Sequence, residues 1–119
     1  MRRSKPQTNQ QVTPIGFEIL LSLTRGPQHG YGIKLDIEER TAGQLSLGSG
    51  TLYQAIQRLE RSGLIAEAEA DDESRDARRG RYYQLEPAGR AAVEIELRRL
   101  HRVVEYARSH SLLSDVETS

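Results

Sequence analysis

Gly50-Thr51-Leu52-Tyr53-Gln54-Ala55-Ile56-Gln57-Arg58-Leu59-Glu60-Arg61-Ser62-Gly63-Leu64-Ile65, resuming after a charged interval as Gly80-Arg81-Tyr82-Tyr83-Gln84-Leu85-Glu86-Pro87-Ala88-Gly89-Arg90, is the stretch that decides the fold. In its first half Leu52, Ala55, Ile56 and Leu59 recur at helical spacing and form one buried stripe. Tyr53, Gln54, Gln57, Arg58 and Arg61 fall elsewhere on the surface of that helix. Ser49 or Gly50 is expected to cap it, and Gly63 to stop it. Leu64 to Ala70 reads as a strand and Arg81 to Leu85 as the strand that returns, since aromatic residues suit a pleated surface. Tyr82 and Tyr83 point to opposite faces of that strand, so at least one belongs to the core. A helix followed by a charged two-stranded ribbon is the layout of a winged helix-turn-helix, whose helix enters a DNA groove while the ribbon touches the backbone beside it.

The flanking segments fit the same plan. Upstream, Thr13 is an N-cap residue followed by Pro14 at the favoured first helical position. Ile15, Ile19, Leu20 and Leu23 follow at helical spacing until Gly26-Pro27 ends the run. A second helix covers about Gly30 to Thr41, with Ile33, Leu35 and Ile37 apolar and Gly43 closing it. Downstream, Pro87 starts a last helix that runs to about His110. There Val93, Leu97, Leu100, Val104 and Ala107 recur at spacings of 4, 3, 4 and 3, a heptad-type seam. That seam either packs on its own domain or joins two copies of the chain, and it outruns what a small three-helix body can cover. The expected fold is mostly α with a small β-hairpin. Residues 1–12 form a flexible arm, 13–86 the winged helix-turn-helix, 87–110 a dimerisation helix and 111–119 a flexible tail.

Composition narrows the function. At 119 residues the chain is one domain, small enough that a second subunit would add useful apolar burial. Without cysteine there is no disulfide, no thiolate nucleophile and no cysteine-ligated zinc. No apolar run approaches the roughly 18 residues of a membrane span, and the start lacks a signal-peptide core. The expected location is the cytoplasm, with no membrane partner. Formal net charge is +0, but the balance is local. Glu67 to Glu73 hold five acids and no base, whereas Arg75 to Arg81 hold four arginines and one aspartate. Phosphate affinity depends on where cations cluster more than on their global sum.

Three segments carry a resemblance. His29-Gly30-Tyr31-Gly32-Ile33 opens the second helix, Gly50-Thr51-Leu52-Tyr53 opens the third, and Gly80-Arg81-Tyr82-Tyr83-Gln84-Leu85 with Ala88-Gly89-Arg90 closes the wing. In this order and spacing they resemble the PadR family of bacterial transcriptional regulators, from about Thr13 to Arg90. The resemblance implies a dimeric winged helix-turn-helix repressor whose C-terminal helices build the dimer, often responding to small molecules. It also implies an apolar effector pocket between dimer helices, for which Phe17 and Tyr106 are candidate lining. The chain departs from the family pattern at Gln54, where proline is frequent after the tyrosine, and in ending on a single helix, as short members do.

Each candidate site residue has two readings. Gly30 and Gly32 flank Tyr31 at a helix start, where small residues admit another backbone or a phosphate; alternatively the turn is merely tight and Tyr31 is core. Tyr53 follows buried Leu52, so its ring sits at the core edge with a hydroxyl either offered to phosphate or satisfied within the domain. Gln54 and Gln57 suit base edges, because an amide pairs bidentately with adenine, or are ordinary solvated residues. Ser49, Thr51 and Arg58 complete the set on that helix. Arg75, Arg78, Arg79 and Arg81 either grip backbone phosphates or pair with the neighbouring acids.

The leading expectation is a sequence-specific regulator that binds an inverted-repeat operator as a homodimer, with double-stranded DNA, a second copy and an effector of unspecified identity as partners. A winged-helix protein-interaction module is the alternative, favoured by zero net charge. An enzyme is disfavoured: no Walker, dinucleotide or nucleophile motif occurs. His101 and Glu105 at i and i+4 read as a surface salt bridge sooner than as metal ligands. No cofactor is expected.

Overall fold

The computed structural model describes residues 12–68 and 80–113. Helix α1 spans Pro14–Leu23, strand β1 Gln28–His29, α2 Gly30–Arg40, α3 Ser49–Arg61, β2 Ile65–Glu67, β3 Tyr82–Leu85 and α4 Pro87–Ser109. Local chemistry sets most of these boundaries. Thr13 takes an extended conformation, and its hydroxyl accepts from the Gly16 N–H at 2.9 Å, with Pro14 inside the first turn. At the other end Thr24 turns its hydroxyl back to the Leu21 carbonyl at 2.7 Å, so α1 stops before Gly26-Pro27. Gly63, at φ +78°, terminates α3. Its N–H reaches the Glu60 carbonyl and the Leu64 N–H the Leu59 carbonyl, both at 3.0 Å, the paired bonds of a Schellman motif.

The sheet has three strands, not the two of the expected hairpin, in the order β1-β3-β2 and antiparallel throughout. Gln28 lies opposite Tyr83 and His29 opposite Tyr82, so the segment before α2 pins β3 from the side away from β2. Among the described residues the first wing strand is shorter than Leu64 to Ala70, covering Ile65–Glu67.

Ile19 and Leu20 of α1, Ile33 and Ile37 of α2, and Leu52 and Ile56 of α3 are fully buried where the three helices meet. Leu59, Ile65, Tyr83 and Val93 extend this core towards the sheet and α4. Leu35 is exposed and takes no part.

A polar clasp binds α1 to α2. The Arg40 guanidinium donates to the Glu18 carboxylate (2.6 Å), the Glu18 carbonyl (3.0 Å), the Ser22 hydroxyl (2.8 Å) and the Asp36 carboxylate (2.9 Å). Ser22 also donates to Asp36 at 2.7 Å. Burial pushes the Asp36 carboxyl up, but hydrogen bonds from Ser22 and Arg40 and the charges of Arg40 and Arg25 hold it below the ordinary carboxylate range. A carboxyl whose folded pKa is depressed stabilises the fold above its unfolded pKa and ceases to as pH falls through the folded value. Acidification below about pH 4 is therefore expected to erode stability, and Asp36→Asn to flatten that erosion while lowering stability at neutral pH. Urea unfolding of both proteins at pH 7 and pH 3 measures this; parallel losses would remove Asp36 from the account.

Candidate nucleic-acid interface

Helix α3 begins without a capping side chain. Gly48, extended at φ −73° and ψ 161°, occupies the cap position expected for Ser49 or Gly50, which lie instead inside the first turn. The first intrahelical bond runs from the Leu52 N–H to the Gly48 carbonyl at 3.0 Å. The amides of Ser49, Gly50 and Thr51 therefore have no acceptor within the helix and present partial positive charge at its start.

With Leu52, Ile56 and Leu59 buried, the 100° advance per residue turns Gly50, Gln54, Gln57 and Arg61 directly outward. All four are exposed. Arg61 lay outside the candidate set, yet it continues the Gln54–Gln57 spacing by one further turn, the signal that would have found it. Thr51 and Arg58 are exposed on one flank of this row. Arg58 also lines a shallow cavity of about 120 Å³ with Val12, Thr13, Ala55 and Ser62.

Tyr53 occupies the opposite flank and is 40% exposed. Its phenol lies over Gly30: a Cβ built there would overlap the hydroxyl and stand 2.7 Å from Cζ. A Cβ at Gly32 would likewise overlap the Gln28 carboxamide, whose Oε1 accepts from the His29 N–H at 3.1 Å. The two glycines thus make room for side chains of this domain rather than for another backbone. His29 caps α2, Nδ1 accepting from the Gly32 N–H at 2.9 Å, so the other ring nitrogen carries the proton of the neutral form. Its ring meets Tyr82 edge-on at 5.2 Å. Tyr31 is 54% exposed, which excludes the packed-core reading.

Beside α3 the wing root aligns Ile65 with Leu85, Ala66 with Gln84 and Glu67 with Tyr83. Tyr83 is the core tyrosine of the pair, 3% exposed, and Tyr82 is half-buried. Burial pushes the Tyr83 phenol up, a hydrogen bond from Arg81 opposes this, and Glu60 and Tyr53 add to the rise. Arg81 also stands 3.8 Å from Glu67, so it has ties inside the domain as well as an exposed side. Arg75, Arg78 and Arg79 lie outside the described residues.

Helix α4 is about 35 Å long at 1.5 Å per residue. Only Gly89 and Val93 of it are buried. Val93, expected in the intersubunit seam, belongs to the domain's own core because the first turns of α4 pack on α1 and β3. Further along, Leu97 is 45% exposed, and Leu100, Val104 and Ala107 are half-buried. Ile95, Val103 and Tyr106 add exposed apolar surface beside that row. Glu105 pairs with Arg108 at 2.7 Å, which replaces the expected bridge to His101. No group of potential metal ligands occurs among the described residues, nor any helix long and apolar enough to cross a membrane. Phe17 is half-buried against the core and Tyr106 stacks on His110.

A helical core carrying an outward polar row beside a sheet-anchored wing defines a winged helix-turn-helix. The chain belongs to the PadR-like family of transcriptional regulators, whose model matches residues 19–95. It is similar to a PadR family transcription regulator from Clostridium difficile, at 27% identity over 85% of this chain and 100% of that one, with a TM-score of 0.67. Bacillus subtilis PadR in complex with operator DNA shares the fold at 20% identity, over 71% of this chain and 47% of that one, with a TM-score of 0.60. An uncharacterized 37.1 kDa protein in transposon TN4556 of Streptomyces fradiae is 36% identical over 85 residues. That match covers 71% of this chain and 22% of the length of the relative.

Proposed function

We propose that the protein is a sequence-specific transcriptional repressor that binds an inverted-repeat operator as a homodimer. The observation that carries this reading is the outward row of α3: free first-turn amides followed by Gln54, Gln57 and Arg61, flanked by the wing. Amides at a helix start hold phosphate, Arg61 adds a cation at the far end of the row, and the glutamine carboxamides suit base edges. Ser49, Thr51 and Arg58 extend the contact along α3, Tyr31 approaches from the start of α2, and Arg81 with Arg75, Arg78 and Arg79 serves the backbone from the wing. Residues 13–86 act as the DNA-binding unit and 87–110 as the dimerisation helix, between the arm 1–12 and the tail 111–119. Such a dimer works on chromosomal DNA in the cytoplasm, and a small molecule bound between the dimer helices would release it.

The test begins with selection of a cognate duplex from a random pool, expected to yield two half-sites about one helical turn or a multiple apart. On that duplex Gln54→Ala or Gln57→Ala should cost about 1–3 kcal/mol for whichever amide contacts a base. Nonspecific affinity should barely change, since neither residue is charged. Retention of full discrimination by both variants would move specificity to Ser49, Thr51 or DNA shape. A net charge of +0 and the ties of Arg81 to Glu67 and Tyr83 favour a second reading, a protein-interaction module. A salt titration separates them: phosphate contacts impose a slope of about −0.9 per contact on log affinity against log salt, whereas a flat line favours the module.

A further inference from the structure

The His29-Gly30-Tyr31-Gly32 segment, at the start of α2, joins that helix to α3 and to β3. From Gly30 the contact runs to Tyr53 in the second turn of α3. From His29 it runs to Tyr82 of β3, through both the strand pairing and the edge-on ring contact. Tyr83, the next residue along β3, is buried in the core that Leu52 of α3 also enters. Beside buried Leu52, the start of α3 thus also rests on α2 through one aromatic side chain that lies in the notch of space glycine leaves open. Gly30 is the first residue of α2 and has no positive φ, so the backbone itself would accept alanine. What glycine supplies here is space, which a Cβ would take from the Tyr53 phenol.

Resting on the DNA-binding reading, we propose that Gly30 and Tyr53 are a positioning pair that fixes the angle of α3 relative to α2 and the wing, and that discrimination between DNA sequences depends on this angle. Tyr53 then acts through its ring, as a spacer between helices, and not through a phosphate contact of its hydroxyl. Gly30→Ala drives the phenol out of the notch and tilts the outward row, which misplaces Gln54 and Gln57 against the base edges. Tyr53→Ala empties the notch and frees the same end of the helix. Tyr53→Phe keeps the ring in place.

Two measurements on the full chain test this. In the DNA-free protein, residual dipolar couplings of the α2, α3 and β3 amides fit one common frame in the wild type and in Tyr53→Phe. In Gly30→Ala and in Tyr53→Ala the α3 couplings depart from that frame. On the selected duplex, both departing variants lose about tenfold in preference for cognate over scrambled DNA, the loss of one well-placed base contact. Tyr53→Phe stays within about twofold of the wild type. Adding Gly30→Ala to Tyr53→Ala produces no further loss, because the group it collides with is gone. Unchanged couplings, intact discrimination in either departing variant, or losses that multiply in the double variant would each overturn the proposal. So would weaker binding of Tyr53→Phe to every duplex, since that marks a hydroxyl–phosphate contact. Should Gly30→Ala fail to fold, Tyr53→Ala carries both measurements alone. A wild type without preference for any duplex would sink the regulator reading, while the couplings would still decide whether the pair sets the angle.

Discussion

Gly89→Ala is expected to destabilise the protein by about 2–4 kcal/mol and to lower its melting temperature by roughly 10–20 °C. Gly89 sits in the first turn of α4, directly against the Leu64 carbonyl, and a Cβ there would overlap that oxygen and stand 2.9 Å from Leu85 Cδ1. The same carbonyl already accepts the Glu86 N–H at 3.0 Å. A single backbone oxygen thus holds together the end of α3, the root of the wing and the start of α4. A carbonyl cannot rotate away as a flexible side chain would, so α4 must shift as a body. Alanine would improve helix propensity by up to about 1 kcal/mol, which is too little to offset the shift. Urea denaturation of the two proteins measures the difference, and equal midpoints would mean that α4 does not approach the wing root this closely.

The second large effect concerns the proposed dimer. Leu97→Asp with Leu100→Asp should convert dimers into monomers of 13.4 kDa in a sedimentation experiment. Operator affinity should fall by about 10²–10⁴, because the second half-site no longer profits from tethering to the first. Stability of the domain should change little, since Leu97 is 45% exposed and the core ends at Val93. A double variant that remains dimeric would place the interface elsewhere on α4, with Ile95, Val103 and Tyr106 as the remaining apolar surface.

What could be read from the sequence was what local chemistry decides. Thr13-Pro14 announces the start of α1 through a hydroxyl cap and a preset φ, and Gly63 announces the end of α3 through its left-handed conformation. Leu52, Ile56 and Leu59 of the α3 stripe are buried as expected, with Ala55 half-buried at its edge, because a 3.6-residue period is a property of one helix. Strand β1 escaped because two residues, glutamine and histidine, show neither alternation nor β-propensity; only β3 lying alongside makes them a strand. Periodicity likewise places Val93 in a seam without saying what covers it, and the answer was the chain's own core. The notch at Gly30 is filled by a residue from another helix, a juxtaposition that no local spacing encodes. Ser49 and Gly50 were plausible caps by residue type, but Gly48-Ser49-Gly50 offers three successive candidates, and the backbone chose the first.

The three-stranded arrangement has a consequence for how such a protein diversifies. Because β3 is flanked on both edges, its register is settled by β1 on one side and β2 on the other, whatever joins Ala68 to Gly80. Lengthening that connection twofold adds only about 0.6 kcal/mol of closure entropy. The segment bearing Arg75, Arg78 and Arg79 can therefore gain, lose or exchange residues across generations without asking the rest of the fold to adapt. Reach and charge of the wing become quantities that selection can adjust separately from the helix proposed to read the bases.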